Sequence, residues 1–159
     1  MNIDLICVGK IKESYLKAAI LEYEKRLSRY CRLKIIETAD EKTPDGQSSV
    51  LDNKIRQTEA ERILKHIKKE SCVISLEIGG EMLDSVELSK KIETLGINGT
   101  NNIQFIIGGS LGLHPSVSEM ADLKLSFSKM TFPHQLMRVI LLEQVYRSYR
   151  IMHNEPYHK

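Results

Sequence analysis

The spacing of apolar residues changes repeatedly along the chain and predicts an alternating order of strands and helices. Short apolar runs, which are typical of buried strands, lie at 3–10, 33–38, 72–77, 103–109 and 123–128. Segments whose apolar residues recur every three or four positions, as in amphipathic helices, lie at 14–28, 50–69, 85–96 and 131–152. The third and fourth runs are almost continuously apolar, as parallel strands buried on both faces are. The pattern predicts an α/β fold with a mostly parallel sheet and helices on both of its faces.

Capping residues predict where several helices begin and end. Ser14 is a candidate N-cap of the first helix, and Asp84 or Ser85 is one for the third. Gly96 is a candidate end of the third helix, because glycine readily adopts the backbone conformation that terminates helices. Pro133 suits the first turn of the last helix, where its missing N–H would be unpaired in any residue.

Length and composition predict a single globular domain, residues 1–159, that resides in the cytoplasm. Of the 159 residues, 42% are hydrophobic and 28% charged, and no apolar run approaches the roughly 20 residues that a membrane span needs. The first residues, MNIDLICVGK, lack the basic start and the cleavage site of a signal peptide. Segment 38–49 is polar, contains Pro-Asp-Gly and is expected to be a loop.

Cysteine and histidine spacing argues against a metal site. Cys7, Cys31 and Cys72 are far apart and odd in number, so they form neither a CxxC pair nor a disulfide framework. The five histidines show no H-E-x-x-H spacing. We expect reduced thiols and no bound metal.

Charge is unevenly distributed along the chain. The net charge of +2 is too small for binding nucleic acid by charge alone. Residues 10–34 nevertheless carry eight Lys or Arg against three Glu, and Arg138, Arg147, Arg150 and Lys159 enrich the C-terminal stretch. Two interpretations remain open, namely solvated helix faces or an anionic partner that contacts both ends of the chain.

The stretch IQFIIGGSLGLH at 103–114 is an apolar strand that runs into three glycines. A Walker-type phosphate loop needs G-x-x-x-x-G-K-[ST], and no GKS or GKT occurs in the chain. A dinucleotide fingerprint needs G-x-G-x-x-G at the start of a helix, whereas His114-Pro115 interrupts here. Two interpretations of the glycines remain open. They form a structural turn, or they form the wall of a site for a ligand without phosphates.

Two other predicted strands end in similar loops. Leu76 precedes Gly79-Gly80, and strand five runs into the hydroxyl-rich loop SFSKMTF at 126–132. Ligands of open α/β sheets lie outside the carboxyl ends of the strands, so the three loops could wall one cleft. Backbone polar groups and apolar side chains would suit a ligand that is part adenine and part amino acid.

No catalytic triad or dyad is evident in the sequence. Ser110, Ser128 and His114 could supply a nucleophile and a base, but loop residues of these types are common. The G-x-S-x-G elbow of hydrolases is absent from the sequence.

Three motifs resemble the ribosomal RNA large subunit methyltransferase H family, the small stand-alone SPOUT methyltransferases. They are IGG-x-x-G at 107–112, LSFSKMTFPHQLMRVILLEQVYR at 125–147 and PYHK at 156–159. The chain length, the opening residues and the strand–helix order fit as well, so the resemblance covers the whole chain. Lys159 departs from the arginine expected near that position, which keeps the charge but not a bidentate contact.

The resemblance implies a fold and an activity that periodicity cannot show. The C-terminal part would form a trefoil knot that holds S-adenosyl-L-methionine. The substrate would be a pseudouridine of 23S rRNA, methylated on N3 in the assembled ribosome by a homodimer. A SPOUT methyltransferase acting on tRNA and a ribosome-associated binding factor without catalysis are the alternatives.

The resemblance also implies which residues form the site. Tyr157, His158 and Lys159 would approach the target base and assist the loss of its proton, or else form a bystander tail. Arg147 and Arg150 would contact RNA or the partner subunit. The cofactor would be bound by Leu76, Gly108, Phe127, Ser128, Lys129, Met130, Thr131 and Phe132. Plain core packing is the alternative role for the leucine and the two phenylalanines among them.

Overall fold

The computed structural model describes residues 1–46 and 48–156, which form an alternating series of strands and helices. The strands are β1 (Asn2–Val8), β2 (Arg32–Thr38), β3 (Cys72–Met82), β4 (Asn102–Ile107) and β5 (Leu123–Ser126). The helices are α1 (Ser14–Leu27), α2 (Ser49–Leu64), α3 (Ser85–Ile97), α4 (Pro115–Ser118) and α5 (His134–Met152).

The strands form one sheet in the order β2-β1-β4-β3-β5, and every pairing is parallel. Leu5 of β1 pairs with Ile35 of β2 on one side and with Phe105 of β4 on the other. The predicted α/β fold with a mostly parallel sheet is confirmed. Because the strands are parallel, the carboxyl ends of β3, β4 and β5 meet at one edge of the sheet.

Helices cover both faces of the sheet, as the apolar pattern predicts. Helices α1, α3 and α5 pack on the face that carries Leu5 and Phe105, whereas α2 and α4 pack on the face that carries Ile6 and Ile106. Neighbouring residues of a strand point to opposite faces, so a strand covered on both sides must be apolar at successive positions. All four side chains are fully buried.

Strand β3 is longer than predicted. The expected end at residue 77, followed by a glycine turn, is wrong, because the strand continues to Met82. Leu76 and Glu81 both pair with Leu125 of β5, so the intervening residues form a bulge. A Cβ atom at Gly80 would lie 2.6 Å from the carbonyl oxygen of Lys124, so glycine is required for this close approach.

Several helix ends also differ from the expectation. Glu13 rather than Ser14 is the N-cap of α1, without a side-chain capping bond, and α2 ends at Leu64 rather than near residue 69. Helix α3 passes through Gly96, and the left-handed residue that follows its end is Gly99 with φ +86°. The predicted cap at Asp84 is confirmed as a capping box with Glu87.

The start of the last helix and one short helix also differ from the sequence prediction. Pro133 is the N-cap of α5 rather than part of its first turn. The four-residue helix α4 has no counterpart in the sequence prediction. His114 caps it by accepting a hydrogen bond from the Ser116 N–H at 3.2 Å.

Candidate functional site

A cavity of about 700 Å³ lies at the carboxyl ends of β3, β4 and β5. Its volume is within the range of small-molecule sites, and its position is the usual one for ligands of parallel sheets. The segments that wall it are 76–79, 107–113, 125–128 and 130–134, together with Met137.

The glycine segment after β4 is both a tight turn and a wall of this cavity. Gly109 and Gly112 form an antiparallel bridge in which the Gly112 N–H donates to the Gly109 carbonyl at 3.0 Å. Gly112 has φ +77°, and a Cβ atom at Gly108 would lie 2.9 Å from the Gly112 carbonyl carbon. The two interpretations of the glycines are therefore compatible, because the turn brings bare backbone to the cavity.

The loop after β5 is shaped by its own hydroxyl groups. The Ser126 hydroxyl donates to the Ser128 carbonyl at 3.1 Å, and the Met130 N–H donates to the Ser128 hydroxyl at 3.0 Å. These bonds hold the loop against the cavity just before α5 begins. The exposed side chains of Met130 and Phe132 add apolar surface to this wall.

The structure brings together seven of the eight residues predicted to bind the cofactor. Lys129 is the exception, since it does not line the cavity. Leu76 and Phe127 line the cavity and also pack against the main core, so their two proposed roles coexist. The residues that line it are Leu76, Gly108, Phe127, Ser128, Met130, Thr131 and Phe132.

The predicted catalytic residues Tyr157, His158 and Lys159 lie outside the described residues. The chain just before them is anchored by Glu155, whose carboxylate accepts a hydrogen bond from the Tyr30 hydroxyl at 2.6 Å. The same carboxylate lies 2.8 Å from Nε of Arg150. Residue 155 is therefore tied to the C-terminal end of α5.

Two titratable side chains line the cavity within the described residues, and sequence analysis singled out neither. Burial and the nearby positive charge of Arg138 lower the pKa of His134, which favours the neutral imidazole. Glu77 follows Leu76 at the point where β3 reaches the cavity. A carboxylate at the end of the apolar run 72–77 is the signal that could have identified it.

Arg138 belongs neither to a solvated helix face nor to a surface that could contact an anionic partner, so both interpretations of the C-terminal charge are wrong for this residue. Its side chain is fully buried in α5 and donates to the carbonyl oxygens of Val8 and Gly9 at 2.8 Å each. It also forms a 2.9 Å ion pair with Glu37. Arg138 thus ties α5 to the ends of β1 and β2 beside the cavity.

The other basic residues of interest lie among tyrosines on α1 and α5. Arg147 pairs with Glu143 one turn earlier at 3.2 Å. Arg26 of α1 lies over the rings of Tyr23 and Tyr146, at 5.5 and 5.7 Å from their centres. This surface therefore combines cationic and aromatic groups in contact with each other.

Sequence comparison decides the family. The family described as "Predicted SPOUT methyltransferase" matches residues 1–158. The chain belongs to the SPOUT methyltransferases. It is therefore a methyltransferase, and the trefoil knot is implied by the fold of that family.

Relatives of this SPOUT methyltransferase match over the full length of both chains. A protein of Methanococcus maripaludis is 65% identical. Relatives from Bifidobacterium adolescentis and Clostridium kluyveri, 60% and 58% identical, are named "Ribosomal RNA large subunit methyltransferase H". The structure of a probable methylase family protein from Haemophilus influenzae Rd KW20 is similar in fold, with TM-score 0.58 at 13% identity, covering 99% of this chain and 70% of that one.

Residues 1–46 and 48–156 contain neither a candidate metal site nor a candidate membrane span. No cluster of three or more His, Cys, Asp or Glu there could hold a metal ion. No helix in the same part of the chain combines the length and the apolar character of a membrane span.

Proposed function

We propose that this SPOUT methyltransferase transfers a methyl group from S-adenosyl-L-methionine to N3 of a pseudouridine in 23S rRNA of the ribosome, in the cytoplasm. The observation that carries the proposal is the full-length identity of 58–60% to proteins named ribosomal RNA large subunit methyltransferase H. The cavity walled by the motif residues supports it, because it offers one site of suitable size for the methyl donor.

The residues of the cavity fit the chemistry of this cofactor. Cationic side chains that would neutralise phosphates are absent from the described lining, so the cavity suits an adenosine without phosphates. The backbone of Gly108 and of loop 127–132 would hold the polar edges, and Leu76 and Phe127 would contact the adenine ring. When bound, S-adenosyl-L-methionine supplies an electrophilic methyl group on a sulfonium.

The remaining task of the protein is to align the target nitrogen and remove its proton. Methyl transfer from a sulfonium is an in-line displacement, so alignment supplies much of the rate enhancement. The N3–H of a uracil-type ring titrates above neutrality, and a base or a cation close to it assists its loss. We assign this role to Tyr157, His158 and Lys159, with a bystander tail as the alternative.

The direction of α5 bears on how such a tail could act. His134 at the start of α5 lines the cavity, and the 19-residue helix places its other end about 28 Å away. Glu155 is held at that far end by its contacts with Tyr30 and Arg150. Residue 155 of one chain is therefore remote from the cavity of the same chain. A homodimer in which the tail serves the partner's cavity satisfies the proposed function.

Methyl transfer to ribosomes tests the proposal directly. Ribosomes lacking the modification are incubated with the protein and methyl-labelled S-adenosyl-L-methionine, and the nucleosides of 23S rRNA are analysed. We expect label in N3-methylpseudouridine of 23S rRNA, with little in protein-free rRNA. Label in tRNA alone would favour the alternative SPOUT substrate, and ribosome binding without transfer would favour a non-catalytic factor.

Mixed dimers test the shared site. Gly108→Val would distort the glycine turn that walls the cavity, because its Cβ atom would meet the Gly112 backbone. Lys159→Ala would impair the tail, so each variant alone should be nearly inactive. If the tail serves the partner's cavity, co-expression should restore a substantial fraction of wild-type transfer, because mixed dimers contain one intact pair. Wild-type rates for Tyr157→Ala, His158→Ala and Lys159→Ala throughout would refute the catalytic role of the tail.

A further inference from the structure

Glu77 is the one carboxylate that lines the cavity within the described residues. The other titratable group there, His134, is held towards its neutral form by burial and by Arg138. The described wall therefore carries a negative charge beside otherwise neutral side chains and backbone.

The Glu77 carboxylate is held in place by hydroxyl groups. The Ser75 hydroxyl donates to Oε1 at 2.5 Å, and the Ser118 hydroxyl lies 2.8 Å from both carboxylate oxygens. Ser75 is fully buried in β3, and Ser118 is at the end of α4, so both donors come from ordered elements. Hydroxyls orient a carboxylate without neutralising it, and no salt bridge joins Glu77 to another described residue.

The charge of this wall has a counterpart in the ligand of the proposed function. S-adenosyl-L-methionine carries a sulfonium, an ammonium and a carboxylate, so its net charge is positive. Its demethylated product, S-adenosylhomocysteine, has lost only the sulfonium charge and is neutral overall. Inside a partly enclosed cavity a charge difference of this kind is weakly screened.

We propose that Glu77 is the residue by which this cavity prefers the cationic methyl donor to the neutral demethylated product. This inference rests on the proposed function for the identity of the ligand. The carboxylate attracts the sulfonium before transfer, and that attraction ends when the methyl group leaves. Glu77 thereby favours entry of the donor and release of the product. It is a specificity-determining residue and takes no part in proton transfer.

Binding calorimetry of the free protein tests the proposal without any turnover. The measured quantity is the ratio of the dissociation constant of S-adenosylhomocysteine to that of S-adenosyl-L-methionine. Glu77→Gln keeps the shape and an acceptor oxygen for Ser118, so it removes the charge alone. We expect this ratio to fall by roughly tenfold in Glu77→Gln, because the two ligands share every other group.

Three further variants complete the design. Glu77→Ser is a second neutral variant and should lower the ratio similarly, whereas Glu77→Asp keeps the charge and should preserve much of it. Glu81→Gln is the matched control, because Glu81 is exposed on the same strand and does not line the cavity. Thermal unfolding of each ligand-free variant checks that the fold is retained.

The outcomes separate this inference from the proposed function. An equal loss of affinity for both ligands in Glu77→Gln would overturn the inference, since it would mean contact with a group common to both. A ratio that falls as far in Glu77→Asp as in Glu77→Gln would overturn it too. If the wild-type protein binds neither ligand, the proposed function itself fails.

Discussion

The two ends of the sheet both bury charged side chains, yet they use them differently. At the amino end, Asp4 of β1 is almost fully buried and accepts hydrogen bonds from Lys68 Nζ at 2.6 Å and from Gln104 Nε2 at 3.1 Å. At the carboxyl end, Arg138 is paired with Glu37, while Glu77 is held by hydroxyls alone. Asp4 and Arg138 form ion pairs with oppositely charged side chains. Glu77 at the cavity has no ion pair among the described residues.

The largest expected effect concerns Arg138. Arg138→Met should lower the free energy of unfolding by about 3 kcal/mol, because it leaves Glu37 and two strand-end carbonyls without their buried donor. Chemical denaturation measures this quantity. Arg32→Met is the control and should change this free energy little, because Arg32 is exposed on β2. A loss of less than 1 kcal/mol in Arg138→Met would mean that the pair does not tie α5 to the sheet.

A smaller effect is expected at the amino end. Asp4→Asn should cost about 1–2 kcal/mol, because the Gln104 amide loses a charged acceptor while half-exposed Lys68 can turn to solvent. The affinity of the Asp4→Asn variant for S-adenosyl-L-methionine should equal that of the wild type, because Asp4 lies at the opposite edge of the sheet from the cavity. A substantial loss of affinity would contradict the separation of the two ends.

The smallest effect depends on pH and involves Glu59 of α2. Burial raises the pKa of Glu59, and the neighbouring Asp40 and Glu41 raise it further against a backbone hydrogen bond that lowers it. The folded protein therefore holds this proton more tightly than the unfolded chain does. The contribution of Glu59 to stability should accordingly decline as pH rises above the ordinary value of 4.5, the opposite of a salt-bridged carboxylate.

Glu59→Gln should remove that part of the decline. Denaturation curves between pH 4.5 and 7.5 should show a flatter dependence for the variant, and equal or greater stability near neutrality. Glu61→Gln is the matched control, because Glu61 is exposed on the same helix. An equally steep decline in Glu59→Gln and the wild type would assign the pH dependence to other groups.

Local pattern was sufficient for most of the fold. Apolar runs predict all five strands, and the run is almost continuous in β4 because a strand buried on both faces must be apolar at successive positions. The capping box at Asp84 was found because capping is a local interaction. The extension of β3 is not evident from the sequence because Gly79-Gly80 resembles a turn, and only the approach of Lys124 on β5 explains Gly80.

The sequence predicts only part of the candidate site, and the basis of that prediction differs from the local pattern that predicts the fold. The motif residues were identified by resemblance, since nothing in their periodicity separates a ligand wall from a turn. The sequence does not show how Glu77 is held, because its partner Ser118 is 41 positions away and lies on a four-residue helix with no sequence signal. Arg138 was misplaced because its buried acceptors are backbone carbonyls, which no side-chain pattern reveals.

The sequence by itself determined the α/β order of elements, the burial of the central strands and the membership of the SPOUT methyltransferases. These follow from local periodicity and from motifs contiguous in the chain. Only the tertiary structure decided which charges are neutralised and which one faces the cavity. That distinction depends on partners distant in the chain, such as Arg138 and Glu37, which are 101 positions apart and come together only when the sheet and α5 have packed.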